Sequence, residues 1–145
     1  MSSLYPALER ILLTLWVGGL WVSGFIVAPL LFALLEERAL AGTLAGTLFS
    51  VMSYLGLCCA SALLAIQWLR NQPHRFTGWR PVTLAAMLLL VLTGEFVLAP
   101  MITQLRAAGL TESTRFGQLH GLASVLFVIN CVLGMILVAR KPEIP

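Results

Sequence analysis

Charged residues are scarce in this chain: Asp, Glu, Lys and Arg make up 10% of its 145 residues, whereas 59% are hydrophobic. A soluble domain carries about a quarter charged residues, so this composition excludes an ordinary soluble globule. Charge is almost absent from four long runs, at about 11–35, 44–69, 82–105 and 116–139. Each run is long enough to cross a bilayer as a helix, because a crossing needs roughly 20 apolar residues.

The runs predict an all-α fold, an integral membrane four-helix bundle that forms a single domain over residues 1–145. The connecting loops are too short to hold a separate soluble domain. The first run is too long for the core of a signal peptide and is not followed by a small-x-small cleavage site, so it is retained as a span. We expect a multi-pass protein of the bacterial inner membrane, surrounded by the lipid bilayer.

The distribution of basic residues predicts the orientation of the bundle. Four spans place both termini on one side, and the positive-inside rule assigns the more basic side to the cytoplasm. Both termini are therefore predicted to be cytoplasmic, and this bias accounts for the net charge of +3 without a nucleic-acid partner. The terminal side has six basic residues and the opposite side three: Arg10, Arg70, Arg75, Arg80, Arg140 and Lys141 against Arg38, Arg106 and Arg115.

The first and third runs share a short similar sequence. The six residues from 25 to 30 (FIVAPL) parallel those from 96 to 101 (FVLAPM), which predicts a parallel repeat of two helical hairpins. Chance recurrence of Ala-Pro in apolar helices is the alternative. Pro29 and Pro100 each remove a backbone donor, so they are predicted sites of helix kinks unless neighbouring helices satisfy the freed carbonyls.

Small residues recur at helical spacing on two faces. Gly42, Gly46 and Ser50 are four apart, as are Gly19 and Ser23, and such spacing favours close helix packing in lipid. These faces could pack within the bundle, or dock a second copy or other membrane subunits. A separate expectation concerns the start of the last helix, where Thr111 is the predicted N-cap.

Glu95 is the most informative polar residue, because a carboxylate inside a span is costly and usually marks function. His120 enters the last run from the same side, with Ser124 one turn further and Asn130 at the edge of the same stripe. These residues predict a polar intramembrane site for a small cation or solute, built by Glu95 and His120 and extended by Ser124 and Asn130. The structural alternative is a satisfied polar pair that locks two helices together.

Cofactor chemistry has weaker support in the sequence. Sulfur ligands suit copper(I), but Cys58, Cys59 and Cys131 lack a Cys-x-x-Cys or paired-His arrangement. Ligation of haem by two histidines would join His120 to His74, which belongs to the predicted cytoplasmic loop, while ligation by one histidine stays open. No catalytic residue and no cofactor is therefore assigned, with haem and copper kept as alternatives.

The first and last runs also carry a family resemblance. The motif WVGGLW at 16–21, and RFGQLH at 115–120 followed by Ser124 and Asn130, resemble a bacterial membrane family of unknown function related to the eukaryotic transmembrane protein 205. The resemblance implies a four-helix membrane protein, and its eukaryotic relative is associated with resistance to a platinum drug. A more distant likeness to copper-resistance-D-like proteins and a haem-binding protoporphyrinogen oxidase adds redox chemistry, although the first run here lacks a histidine.

Three functions follow in order of preference. The first is a non-enzymatic protein of transport or resistance type with the polar intramembrane site described above. The second is an accessory or assembly subunit of a larger membrane complex. The third is a haem- or copper-linked redox protein.

Overall fold

A computed structural model describes residues 4–69 and 78–140, and this part of the chain is all-helical, with 91% of it in helices. Two of the four long helices are interrupted by a π-helical turn, so that the first consists of α1, a π turn and α2, and the third of α4, a π turn and α5. The elements are α1 (Leu4–Val22), π turn (Ser23–Val27), α2 (Ala28–Leu34), α3 (Arg38–Leu69), α4 (Trp79–Thr93), π turn (Gly94–Leu98), α5 (Ala99–Ala107) and α6 (Thr114–Ala139).

Each of the four long helices is long and apolar enough to cross a membrane. Their outer faces carry large apolar side chains, including Leu34 (77% exposed), Leu89 (66%) and Ile11 (62%). Continuous apolar surface of this extent requires a nonpolar surrounding. The chain is thus a multi-pass membrane protein in contact with lipid, as the composition predicts. All four helices begin before the predicted runs, because they continue into the interfacial segments, and the third also ends after its predicted run.

The helices form a bundle in which α1 packs against α3 and α6, and α4 packs against the same two helices. The sequence expectation that Thr111 caps the last helix is wrong. Ser113 is the N-cap instead, and its hydroxyl accepts a hydrogen bond from the Phe116 N–H at 3.2 Å. The core between the helices is apolar, and its largest fully buried side chains are Trp16, Leu63, Met87, Leu137 and Cys131.

Seven pairs of residues that lie 71 positions apart are buried in both hairpins, which agrees with the predicted repeat. The contacts agree as well, because α1–α3 corresponds to α4–α6 and α1–α6 corresponds to α4–α3. The bundle therefore has approximate two-fold symmetry about an axis between the hairpins. The buried pairs are Leu13 with Leu84, Trp16 with Met87, Leu20 with Val91, Cys59 with Asn130, Ala60 with Cys131, Leu63 with Gly134 and Ile66 with Leu137.

The two π turns obey the same symmetry. Ser23–Val27 and Gly94–Leu98 are 71 residues apart, and each stands directly before an Ala-Pro pair. Since proline lacks an N–H, the α-helical hydrogen-bond pattern cannot continue through Pro29 or Pro100. The hydrogen-bonded turn just before each proline therefore contains one more residue than an α-helical turn. The structure thus shows local π-helical openings at the places where the sequence predicts kinks.

An ion pair joins the two hairpins at the end of the bundle where α1 begins and α6 ends, called the terminal end below. Arg80 Nη2 donates to Glu9 Oε1 at 2.6 Å, with side-chain exposures of 15% and 18%. Two guanidinium groups lie over the Trp79 ring, with Arg80 5.6 Å and Arg140 5.4 Å from its centroid. This cluster connects three helices. Arg70, Arg75 and Lys141, which also entered the orientation argument, lie outside the described residues.

We expect the Glu9–Arg80 pair to contribute about 1–2 kcal/mol, between the values for exposed and for buried ion pairs. A double-mutant cycle with Glu9→Gln and Arg80→Gln, measured by unfolding in mixed micelles, checks this coupling. The matched control is the same cycle on Glu37 and Arg38, which are exposed at the opposite end. Coupling of equal size in both cycles would contradict the assignment.

Candidate functional site

Glu95 lies in the second π turn, in the middle part of the third helix and away from both of its ends. That helix ends 12 residues later at Ala107, roughly 18 Å away at 1.5 Å per residue. The side chain is half-buried, and among the described residues its carboxylate takes part in neither a hydrogen bond nor an ion pair. A carboxylate at this depth without a polar partner has a strong physical requirement for one.

The π turn that contains Glu95 also leaves main-chain oxygens without their usual donors. In an α-helix the Ala99 N–H would bond to the Glu95 carbonyl, but here it donates to the Gly94 carbonyl. The next residue, Pro100, has no N–H, so the Glu95 carbonyl has no donor from its own helix. The Phe96 carbonyl likewise loses its usual donor at Pro100. Glu95 therefore combines an ionisable oxygen pair with carbonyl oxygens released from the helix.

The equivalent turn in the first hairpin has the same backbone but a different side chain. Ala28 N–H donates to the Ser23 carbonyl, and Pro29 follows. Position 24, which corresponds to Glu95, is glycine, and the Phe127 ring of α6 fills the space that a side chain there would occupy. The carboxylate is thus a feature of one hairpin alone, and the first π turn serves as an internal comparison.

His120 and Ser124 lie on α6, on positions exposed at the outer face of the bundle. The His120 ring is stacked on Phe116, with centroids 6.0 Å apart and planes 3° apart. The Ser124 hydroxyl donates to the His120 carbonyl at 2.9 Å, within the same helix. The structure shows no hydrogen bond between Glu95 and His120, both of which belong to its described part, so their pairing stays a prediction.

Asn130 occupies a different environment from His120 and Ser124. It is 4% exposed in the bundle interior, and its Oδ1 is buried without a hydrogen-bond donor. The indole N–H groups of Trp16 and Trp21 are also buried without an acceptor. Such groups cost several kcal/mol in a water-free interior unless something satisfies them. With Gln67 Oε1, which is also buried without a donor, the interior presents two donors and two acceptors that the described residues leave unpaired.

The predicted packing faces are covered by side chains of the same chain. A Cβ at Gly19 would lie 2.8 Å from the Met52 thioether methyl of α3, and Ser23 is 3% exposed. The Arg106 guanidinium lies against the other face, 3.5 Å from a Cβ built at Gly42 and 3.4 Å from one at Gly46. Ser50, on the same face, is half-buried.

The described residues form no metal-binding cluster, and two shallow grooves lie on single helices. Across residues 4–69 and 78–140, no three His, Cys, Asp or Glu side chains are grouped to hold a metal ion. Cys58 is exposed, whereas Cys59 and Cys131 are buried, and His74 lies outside the described residues. The best-formed concavities are shallow grooves on single helices, lined by Ser124, Val125, Val128 and Ile129 on α6 and by Arg10, Ile11, Thr14 and Leu15 on α1.

Sequence reasoning missed three polar features. The Glu9–Arg80 pair could have been found from the repeat, because the two residues are separated by the repeat length of 71. The free Glu95 carbonyl could not, since a proline alone does not specify a π turn. The position of Trp21 relative to Asn130 also depends on how the first and last helices are aligned, which no local pattern specifies.

The fold and these interior groups define a multi-pass membrane protein with polar atoms inside its bundle. The family described as a domain of unknown function, DUF4149, matches residues 11–111, more than half of the chain. The chain belongs to this family. It matches no curated protein and no solved structure. A relation to transmembrane protein 205 stays a prediction.

Proposed function

We propose that this protein is a non-enzymatic component of the bacterial inner membrane, with cytoplasmic termini, that binds a small cation at Glu95 for transport or resistance. The observation that carries the proposal is the second π turn, which contains the Glu95 carboxylate and leaves the Glu95 carbonyl without its α-helical donor. Carboxylate and carbonyl oxygens are the ligands that hard cations prefer. Interrupted membrane helices present carbonyl oxygens to cations in the same way.

The other polar residues predicted for the site have distinct places in this proposal. His120 and Ser124 lie in the first half of α6, at the end of the bundle where α5 ends. This is the end of the third helix nearer to Glu95, so a cation or cationic solute could pass them on its way inward. Asn130 lies further along α6, in the interior. Soft-metal and haem chemistry have less support than a hard cation, because the π turn itself offers carboxylate and carbonyl oxygens rather than sulfur or paired imidazoles.

The test measures cation-dependent thermal stability of the purified full-length protein in detergent. Sodium, potassium, magnesium and calcium chlorides are compared with choline chloride at constant ionic strength. A ligand present at 100 times its Kd stabilises the folded state by about 2.7 kcal/mol. We expect at least one inorganic cation to raise the Tm of the wild-type protein by several degrees, and Glu95→Gln to abolish the increase.

Two proline variants separate the carbonyl contribution from a general effect on folding. Pro100→Ala restores an N–H behind Glu95, so we expect it to weaken the cation response. Pro29→Ala makes the same change in the first π turn, where position 24 is glycine, and it should leave the response unchanged. Loss of the response in both proline variants, or the same Tm increase in choline chloride, would contradict the cation site.

A further inference from the structure

Two close contacts between the first and last helices show which of their residues lie at the same depth in the bundle. A Cβ at Gly134 would lie 2.9 Å from Val17, and the Phe127 ring fills the space beside Gly24. Because α1 and α6 run antiparallel, residues between these contacts face each other. Trp21 lies between Val17 and Gly24 on the first helix, and position 130 lies between 127 and 134 on the last.

Trp21 and Asn130 thus occupy the same level of the interface on opposite helices. A series of ring contacts supports this placement: Trp21 stacks on Phe25 at 4.7 Å between centroids, and Phe25 lies 6.4 Å from Phe127. Phe127 precedes Asn130 by three residues, so it is on the same face of α6. The aromatic contacts thus connect Trp21 to α6 at a residue one turn away from Asn130.

The two side chains present complementary groups, and each lacks a partner. Trp21 Nε1–H is a donor, and Asn130 Oδ1 is an acceptor; both atoms are buried, and neither has a hydrogen bond. Direct contact would have satisfied both at once. One molecule that accepts from the indole and donates to the amide oxygen would satisfy both groups, and a hydroxyl can do both.

We propose that the interface between the first helix and α6 binds one hydroxyl-bearing molecule, which accepts a hydrogen bond from Trp21 Nε1–H and donates one to Asn130 Oδ1. Its source is either water or the hydroxyl of a small polar solute. This site is independent of the cation site, because its residues, atoms and ligand chemistry differ from those at Glu95. A cation response can be absent while this site is occupied, and the reverse also holds.

The first experiment is a double-mutant cycle on thermal stability. Trp21→Phe and Asn130→Leu each remove one partner and strand the other, so each should lower the Tm. In the double variant neither group is stranded, and we expect it to recover at least half of the summed Tm loss. Strictly additive losses would overturn the proposal. Ser53→Leu with Trp21→Phe is the control cycle, since Ser53 occupies the place of Ser124 in the other hairpin.

The second experiment observes the indole N–H directly, so its result does not depend on differences in Tm between variants. The ¹⁵N-tryptophan NMR spectrum of the dialysed protein has four indole signals to assign, and Trp21→Phe identifies the relevant one. A cross-peak from this N–H to water assigns the bound molecule as water. A saturable shift on addition of glycerol or ethylene glycol, absent in Asn130→Leu, assigns it as a solute hydroxyl. A signal with neither response, or unchanged by Asn130→Leu, would overturn the proposal.

Discussion

Trp16→Ala is expected to destabilise the bundle by about 3 kcal/mol, a large fraction of the stability of a protein of this size. Trp16 is completely buried and packs against Gly56, where a Cβ would lie 2.5 Å from the indole nitrogen. In a membrane the unfolded helices remain in lipid, so little of this energy comes from transfer out of water. It comes from the close packing that the cavity would remove.

The measurement is reversible unfolding in mixed micelles, followed by far-ultraviolet circular dichroism. Trp68→Ala is the matched control, because it deletes the same side chain at a position that is 69% exposed on α3. We expect the control to change the free energy of unfolding by less than about 0.5 kcal/mol. If the two variants lose equal stability, the buried position of Trp16 is incorrect.

Gly134→Leu is the second substitution with a large expected effect. The glycine lets α6 approach two helices at once: a Cβ would lie 2.9 Å from Val17 Cγ2 and 3.2 Å from Met87 Cε. Overpacking of a tight core typically costs 1–3 kcal/mol, and a leucine here would separate α6 from both neighbours. We expect a loss of about 3 kcal/mol by the same unfolding measurement.

The same helix offers a control for this substitution. Nothing lies within 4 Å of a Cβ built at Gly121, so Gly121→Leu adds an identical side chain toward open space. Leucine is also the better helix former, by several tenths of a kcal/mol, and the control should be neutral or slightly stabilising. Destabilisation of similar size at both glycines would show that α6 responds to lost flexibility rather than to crowding.

Much of the architecture could be predicted from the sequence, because the bilayer makes length and apolarity sufficient evidence for a spanning helix. The four runs correspond to four long helices, and the similar sequences around Pro29 and Pro100 correspond to two equivalent π turns. The helix ends were less accessible, since a charged or aromatic residue can continue a helix into the interface. Arg38 and Trp79, for example, begin helices that the apolar runs place several residues later.

The candidate site was less predictable, because it depends on how the helices rotate and align. The stripe of His120, Ser124 and Asn130 was inferred from spacing on one helix, yet Asn130 is 4% exposed while the other two are exposed. The hydrophobic pattern of a lipid-facing helix does not distinguish inside from outside, since both surroundings are apolar. Residue type alone therefore identified Glu95 and Asn130 as polar residues within membrane spans, but it did not identify their partners.

The Glu9–Arg80 ion pair also bears on why the two hairpins belong to one polypeptide. The two residues occupy the same place in each half, next to the symmetry axis. In a homodimer of identical hairpins, the residue at this place would meet its own copy, and two like charges would repel. Opposite charges can meet there only when the two halves differ in sequence. A chain that contains both halves can carry a different residue in each, so it allows an attractive contact at this place and fixes which half carries which charge.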